Sequence, residues 1–400
     1  MQKPFSNRTP AMRSKLPKTV FILGLVSFFN DLSSEMIYPL LPLFLSSTLG
    51  AGAVALGVVE GVAESASSIL KAVSGIAADR WNKRKPLILS GYGLSGLVRP
   101  LIGLAWAWPL VLAARFFDRV GKGLRTSPRD ALISMSVKPE MRGRAYGFHR
   151  AMDHSGAVAG PLAAAFLLSV LGLGLRHVFL LAAIPAMVVI ALIVFGVKDP
   201  KDQQPEEDAC APPFSKHDWK RLGPDYRRLL TAVVIFTLGN STDAFILLKL
   251  SAAGVSGAWI AGLWSLHHVV KSIATYWGGL FSDHLGRRRM ILVGWLFYAA
   301  VYFCFAFASS PGWIVALFLL YGVYYGLTEP CEKAWVADMA PKELCGAAFG
   351  FYHAAVGFAA LPASLIFGVI WHAWGMAAAF LTGALLAAAA SILLPREPRS

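Results

Sequence analysis

Long apolar stretches alternate with short polar turns from one end of the chain to the other. A membrane-spanning helix needs about 20 mostly apolar residues. Twelve stretches qualify, at 18–45, 52–79, 86–107, 109–136, 142–171, 176–197, 228–252, 257–282, 288–308, 311–339, 345–370 and 372–394. The pattern predicts an all-α integral membrane protein with twelve transmembrane helices. The least apolar long stretch, 198–227, is rich in Pro and in both charge signs and reads as a cytoplasmic linker or surface helix. It divides the spans into two six-helix bundles, 18–197 and 228–394, flanked by a basic N-terminal segment at 1–17 and a tail at 395–400.

Composition strengthens the membrane reading: 56% of residues are hydrophobic, 15% are charged, and mean hydropathy is +0.56. A net charge of +14 would suggest nucleic acid in a soluble protein. Here the positive charge collects before the first span (Lys3, Arg8, Arg13, Lys15, Lys18) and in alternate loops (Arg80, Lys83, Arg84, Lys85; Lys138, Arg142, Arg144; Arg287, Arg288, Arg289). The intervening loops near 46–53, 252–258, 309–312 and 371–375 carry neither Lys nor Arg. This is the positive-inside pattern, which places both termini in the cytoplasm of a cell inner membrane and makes anionic lipid the partner of the basic face in place of nucleic acid. The first span is long and interrupted by Asn30, Asp31 and Glu35, unlike the core of a cleavable signal. Cys210, Cys304, Cys331 and Cys345 have neither metal-type nor disulfide-framework spacing, and no cofactor motif accompanies them.

The two halves repeat internally. Gly75-Ile-Ala-Ala-Asp79-Arg80 follows the second span, and Gly279-Leu-Phe-Ser-Asp283-His284 follows the eighth. The start of span five, Gly143-Arg-Ala-Tyr-Gly147-Phe148, recurs at span eleven as Gly346-Ala-Ala-Phe-Gly350-Phe351 at nearly the same offset. On these residues the chain resembles the major facilitator superfamily across its full length, a class built from parallel six-span halves around a midplane site. The family's loop motif is matched at Gly75, Asp79, Arg80, Lys83 and Arg84, with Asn82 in place of its second glycine; the second copy offers Gly279, Asp283, Gly286 and Arg287, with His284 for the arginine. The resemblance implies that these loops act as a conformational latch. Arg115 is similarly the best match for the arginine of the family's span-four motif, although Asp118 and Arg119 stand where Gln and Gly are usual. The run Gly121–Leu132 is similar to that of a subgroup of bacterial and archaeal permeases. In span five, Gly147, Gly156, Gly160 and Pro161 have the spacing of the antiporter motif of family exporters, with Ala164 and Ala165 at its terminal Gly pair. Glycines so spaced permit close helix contact, and Pro161 is expected to kink the helix.

Ionisable residues at membrane depth cost several kcal/mol or more unless they face a cavity or a partner. Asp31 and Glu35 stand one turn apart on span one, as do Glu60 and Glu64 on span two. Asp118, Lys122, Arg125 and Arg129 follow one helical stripe of span four. Arg129, Asp130 and Asp338, near the cytoplasmic ends, read as structural bridges. Proton coupling is assigned to Asp31 or Glu35 opposed by Arg115 or Arg119, with Asp153 in reserve. The substrate cavity is expected to use Asn30, Glu64, Lys122, Arg150, Asp243, His267, Lys271, Glu329, Lys333 and His353. An excess of basic groups among these favours an anionic substrate. His149, His154, His267, His268 and His353 form no tight ligand spacing, so no metal site is predicted.

These features predict a secondary transporter acting as a monomer by alternating access on a small-molecule substrate. The favoured form is proton-coupled export of an organic, anionic, siderophore-like or drug-like solute; the alternative is proton-coupled import of a polar metabolite or metal complex. An enzyme is excluded for want of a nucleophile–base constellation or nucleotide-binding loop. A sensor is excluded because the linker is too short for a signalling domain.

Overall fold

The computed structural model describes residues 16–81, 84–137, 141–197, 216–341 and 344–395, with side chains described outside 71–81, 127, 131, 134, 142–143, 216–218, 279–284, 330 and 345–347. Most of the expected 1–17 segment, of the 198–227 linker and of the 395–400 tail therefore lies outside the described residues. Helices form where the apolar stretches stand: α1 Lys18–Glu35, α2 Ala53–Trp81, α3 Arg84–Leu101, α4 Trp108–Met135, α5 Arg142–Ser169, α6 Leu175–Leu181 and α7 Ala183–Gly196. After the linker come α8 Gly223–Gly239, α9 Ala244–Ala252, α10 Gly257–Leu285, α11 Arg287–Phe307, α12 Pro311–Met339 and α13 Cys345–Leu393. Inside α13, Gly375 adopts φ 87°, a left-handed conformation natural to glycine, and this separates the predicted 345–370 and 372–394 spans. Among the described residues, eight helical stretches are long and apolar enough to cross a membrane. The charged stripe of α4, the charged residues of α5 and His267, His268 and Lys271 of α10 keep those helices off that count.

Two spans are broken halfway. After α1 the chain leaves α-helical geometry at Met36–Ile37 and resumes as a 3-10 turn over Tyr38–Leu40, because Pro39 and Pro42 have no N–H to continue the ladder. In the second half, α8 ends at Gly239, Asn240 takes φ −96° and ψ 80°, and α9 resumes at Ala244. The two breaks touch: Tyr38 Oη and Thr242 Oγ1 share a hydrogen bond of 3.3 Å. Beyond them, Met36, Ile37, Leu40 and Phe44 merge with Phe245, Ile246, Ile260 and Trp264 into one buried apolar cluster. That cluster seals the molecule at the end remote from the start of α1.

Within the first group of helices α1 packs on α5 and α7, and α4 on α2 and α3; within the second, α12 packs on α10 and α11, and α13 on α8 and α11. The groups meet through α2 against α13 and α5 against α10. Close approach depends on glycines. A Cβ added at Gly156 would strike the Phe28 carbonyl oxygen, and one at Gly160 would lie 2.7 Å from that of Leu32, so both glycines fit α5 against α1. Gly147 has open space instead, and Pro161 lies inside α5, which runs as one helix from Arg142 to Ser169. The sequence repeat has a counterpart in packing: Gly123 of α4 sits on Leu70 of α2 as Gly326 of α12 sits on Ala274 of α10, at nearly the offset of the repeated motifs.

Gly156→Val and Gly326→Val are expected to destabilise the protein by about 1–3 kcal/mol each through overpacking, whereas Gly147→Ala is expected to be neutral or to stabilise it by roughly 0.5–1 kcal/mol. Thermal melting in detergent micelles checks the contrast; an equal loss at all three positions would contradict the packing described.

Candidate functional site

Between the two groups lies a polar cavity of two adjoining chambers, with volumes of ≈ 390 and ≈ 430 Å³. They share Tyr38, Glu64, Arg119, Asp243, Lys271 and Tyr325 as walls. The smaller adds Asn30, Asp31, Glu35, Lys122, Trp264 and His267 among others; the larger adds Glu60, Asn240, Tyr324, Glu329, Glu332 and Tyr352 among others. Both broken spans thus present side chains, and the ends of their helices, to the same space.

On the side of α1–α4 the buried charges form a chain of ion pairs. Arg99 of α3 donates through Nε to Asp118 Oδ1 at 2.7 Å and through Nη1 to the Asn30 carbonyl oxygen and Oδ1 at 3.1 and 3.0 Å. Arg115 reaches the other Asp118 oxygen at 3.6 Å and makes a forked contact with Glu60, its Nη2 lying 2.8 and 2.9 Å from the two oxygens. The Arg115 guanidinium also lies 5.4 Å from the centre of the Tyr38 ring. Asn30 is the last turn of α1 before the break and Tyr38 the first residue past it. The chain Asn30–Arg99–Asp118–Arg115–Glu60 therefore ties three neighbouring helices to the broken span. Forked guanidinium–carboxylate pairs of this kind combine strength with a fixed orientation.

A second cluster joins α1 to α5. Ser27 Oγ donates to Asp153 Oδ1 at 2.7 Å, Asn30 Nδ2 donates to Asp31 Oδ1 at 2.8 Å, and Arg150 lies 3.4 Å from Asp153 Oδ2. The carboxyl groups of Asp31 and Asp153 are neighbours in this cluster. Glu35, one turn on, accepts from Trp264 Nε1 at 2.8 Å and has His268 Nε2 at 3.9 Å, both from α10.

Carboxylates in the second group of helices are held by aromatic donors. Asp243, in the break before α9, accepts from Tyr321 Oη at 2.7 Å and from Tyr325 Oη at 2.9 Å to each oxygen. Glu332 accepts from Trp295 Nε1 at 2.9 Å and Tyr352 Oη at 2.8 Å. Glu329 pairs with Lys333 at 2.9 Å, one turn along α12.

The residues expected from sequence distribute as follows. Asn30, Asp31, Glu35, Glu64, Arg119, Lys122, Asp243, His267, Lys271 and Glu329 line the cavity. Asp153 stands behind Asp31. Arg115 is engaged by Glu60 and Asp118 instead of opposing Asp31 or Glu35. Arg150, Lys333 and His353 are exposed and are not among the lining residues. The expected basic excess also fails: Asp31, Glu35, Glu60, Glu64, Asp243, Glu329 and Glu332 outnumber Arg99, Arg119, Lys122, Arg125 and Lys271 along the walls. The expected excess drew on Arg150, Lys333 and His353, which are exposed; Lys249, another cation at membrane depth, is buried against the Phe380 ring and also lies off the cavity walls. Of the latch, the side chains of Gly75, Asp79, Arg80, Gly279 and Asp283 lie outside the described residues; Arg84 opens α3, and Arg287 Nε faces Asp338 Oδ2 at 3.5 Å. Asp338 is thus paired, and so are Arg129 and Asp130, at 2.8 Å. Arg99, Trp264, Tyr321 and Tyr325 were not singled out by sequence. The one signal for Arg99 was an arginine inside the apolar run of α3, whereas the aromatic residues read as ordinary core.

A charged cavity walled by membrane-length helices, with two broken spans facing it, defines a multi-pass membrane transporter for small molecules, not an enzyme. The Major Facilitator Superfamily model matches residues 23–266 and 229–400. The chain belongs to that family. Over 386 residues it is 32% identical to an MFS-type transporter of Methanocaldococcus jannaschii, covering 95% of each chain. It is 25% identical over 343 residues to the multi-drug resistance efflux pump PmrA of Streptococcus pneumoniae, covering 81% of this chain and 82% of the pump. The solved structure of the nucleoside transporter NupG shares its fold, with a TM-score of 0.78 over 94% of this chain and 98% of that one at 13% identity.

Removing one partner of the buried Arg115–Glu60 pair strands the other charge. Glu60→Gln and Arg115→Met are each expected to cost roughly 3–5 kcal/mol, and the double variant less than the sum of the two. Thermal melting of the three purified variants measures this, and additive losses would count against the pairing.

Proposed function

We propose that the chain is a twelve-span inner-membrane antiporter, with six-helix halves at 18–197 and 228–394 and both ends cytoplasmic. In this reading it acts as a monomer and exports a small organic solute in exchange for protons. The observation that carries it is the Asp31–Asp153 contact at the cavity wall. Two carboxyl groups in one buried cluster favour holding a proton, because two full negative charges placed close together repel strongly. Loss of that proton adds a charge at the interface of α1 and α5 and at the cavity wall. Gly156 and Gly160 bring these same two helices into close contact, so protonation and helix packing act at one interface. Glu35, joined to Trp264 across the cavity, is the second candidate for the proton, and Arg119 and Lys122 are the cations that share its chamber. Export is supported by the antiporter-type spacing on α5 and by the similarity to an efflux pump. The basic loops, with Arg287 against Asp338 at a cytoplasmic end, serve in this reading as the latch.

Everted membrane vesicles that acidify their interior test the assignment with a panel of fluorescent organic solutes. Wild-type vesicles are expected to accumulate a solute and to lose it when nigericin collapses the pH gradient. Asp31→Asn is expected to lower gradient-driven uptake by about tenfold or more, the range in which loss of a proton-transfer group acts. Uptake that ignores the gradient, or equal uptake by Asp31→Asn and Glu35→Gln, would refute proton antiport at these residues.

A further inference from the structure

The larger chamber contains carboxylates whose donors are all neutral. Asp243 is held by the hydroxyls of Tyr321 and Tyr325, and Glu332 by an indole N–H and the Tyr352 hydroxyl. Among the described residues neither carboxylate forms an ion pair. Hydrogen bonds from neutral donors stabilise an anion but leave its charge in place. In contrast, the carboxylates of the opposite wall meet guanidinium groups, as Glu60 does with Arg115 and Asp118 with Arg99. Neither of these two charges is offset by a cation bonded to it, and the chamber's walls include the aromatic rings of Tyr38, Phe236, Tyr324 and Tyr325.

Of the two cations in its walls, Arg119 and Lys271, the second already stands on an aromatic face. Lys271 Nζ lies 3.5 Å from the centre of the Tyr325 ring, over its face, and the hydroxyl of that ring is bonded to Asp243. An aromatic face backed by a carboxylate is the arrangement that recognises alkylated ammonium and related cations, whose diffuse charge is weakly hydrated. A tethered ammonium on that face fills the place a ligand cation would take, and Glu329 on the same wall is a carboxylate toward which it can turn. We propose that this chamber binds a monovalent organic cation between Asp243 and the face of Tyr325, with Lys271 as the resident cation that the ligand displaces. This rests on reading the cavity as the transport site, but it requires neither proton coupling nor a direction of transport. A volume of ≈ 430 Å³ lies within the range of small-molecule pockets.

The test is equilibrium binding to the purified full-length protein in detergent, without a pH gradient, using tetraphenylphosphonium and its anionic counterpart of the same shape, tetraphenylborate, each corrected for micelle partition. Tetraphenylphosphonium is expected to bind at least tenfold more tightly than tetraphenylborate. Asp243→Asn should weaken it tenfold or more. Lys271→Gln should strengthen it threefold or more, a gain that misfolding cannot produce. Because this binding is read without a pH gradient, wild-type protein that binds the cation while its vesicles ignore the gradient refutes the antiport reading and leaves the cation site standing, which separates the two failures. Equal affinity for the two ions, or an Lys271→Gln variant that binds the cation no better than wild type, would overturn the proposal.

Discussion

Placing carboxylates in the middle of a membrane protein is costly unless each meets a donor, and the whole interior is arranged around meeting that need. The two groups of helices meet it with different chemistry. On the side of α1–α4, guanidinium groups do the work: Arg99 holds Asp118, and Arg115 spans Asp118 and Glu60. On the other side, phenol and indole groups do it, as Tyr321 and Tyr325 hold Asp243 while Trp295 and Tyr352 hold Glu332. An ion-paired carboxylate contributes little net charge to the cavity, whereas one held by neutral donors contributes nearly all of its own. Both kinds of carboxylate face the one cavity, with Glu35 on the first side also held by an indole and Glu329 on the second by a lysine.

The broken spans follow from the same constraint. An α-helix buries its own backbone polar groups, so a continuous α1 or α8 would offer the cavity side chains alone. Breaking them at 36–37 and 240–243 exposes carbonyl and amide groups that then need partners. Arg99 braces the end of α1 from outside by donating to Asn30, and the side chains of Tyr38 and Thr242 join the two breaks to each other. Past the breaks, the apolar cluster around Phe44 and Phe245 closes one end of the molecule. The polar middle and the apolar seal are consecutive parts of the same two spans.

Much of this was legible from single residues and periods. Apolar stretches located the helices because membrane length is a one-dimensional property of the chain, and Gly156 and Gly160 were recognisable because close packing demands a missing Cβ. Ten of the fifteen residues expected to act in coupling or in the cavity line its walls: Asn30, Asp31, Glu35, Glu64, Arg119, Lys122, Asp243, His267, Lys271 and Glu329. Pairing was not legible. Glu60 and Arg115, or Asp243 and Tyr325, are far apart in sequence and meet only through helix packing. Tyr321 and Tyr325 look like core aromatics until their hydroxyls are seen on Asp243. The charge balance misled because a cation at membrane depth can lie outside the cavity, as Lys249 does against Phe380 and Arg150 and Lys333 do at exposed positions.

The proposed proton pair and the proposed cation place sit on opposite walls of adjoining chambers, and this bears on how exchange would be coupled. Direct competition for a single carboxylate would need one group to serve both ligands. Here Asp31 and Asp243 both border the smaller chamber, with Glu35, Arg119 and Lys122 around the same space. In a low-dielectric cavity, charges interact over several ångströms with energies well above those in water. A cation arriving at Asp243 would favour loss of a proton from the Asp31–Asp153 pair, and a proton arriving at that pair would favour loss of the cation. That reciprocity is what an antiporter requires, and it follows from the sign of the charges alone, with no ligand shared between the two places.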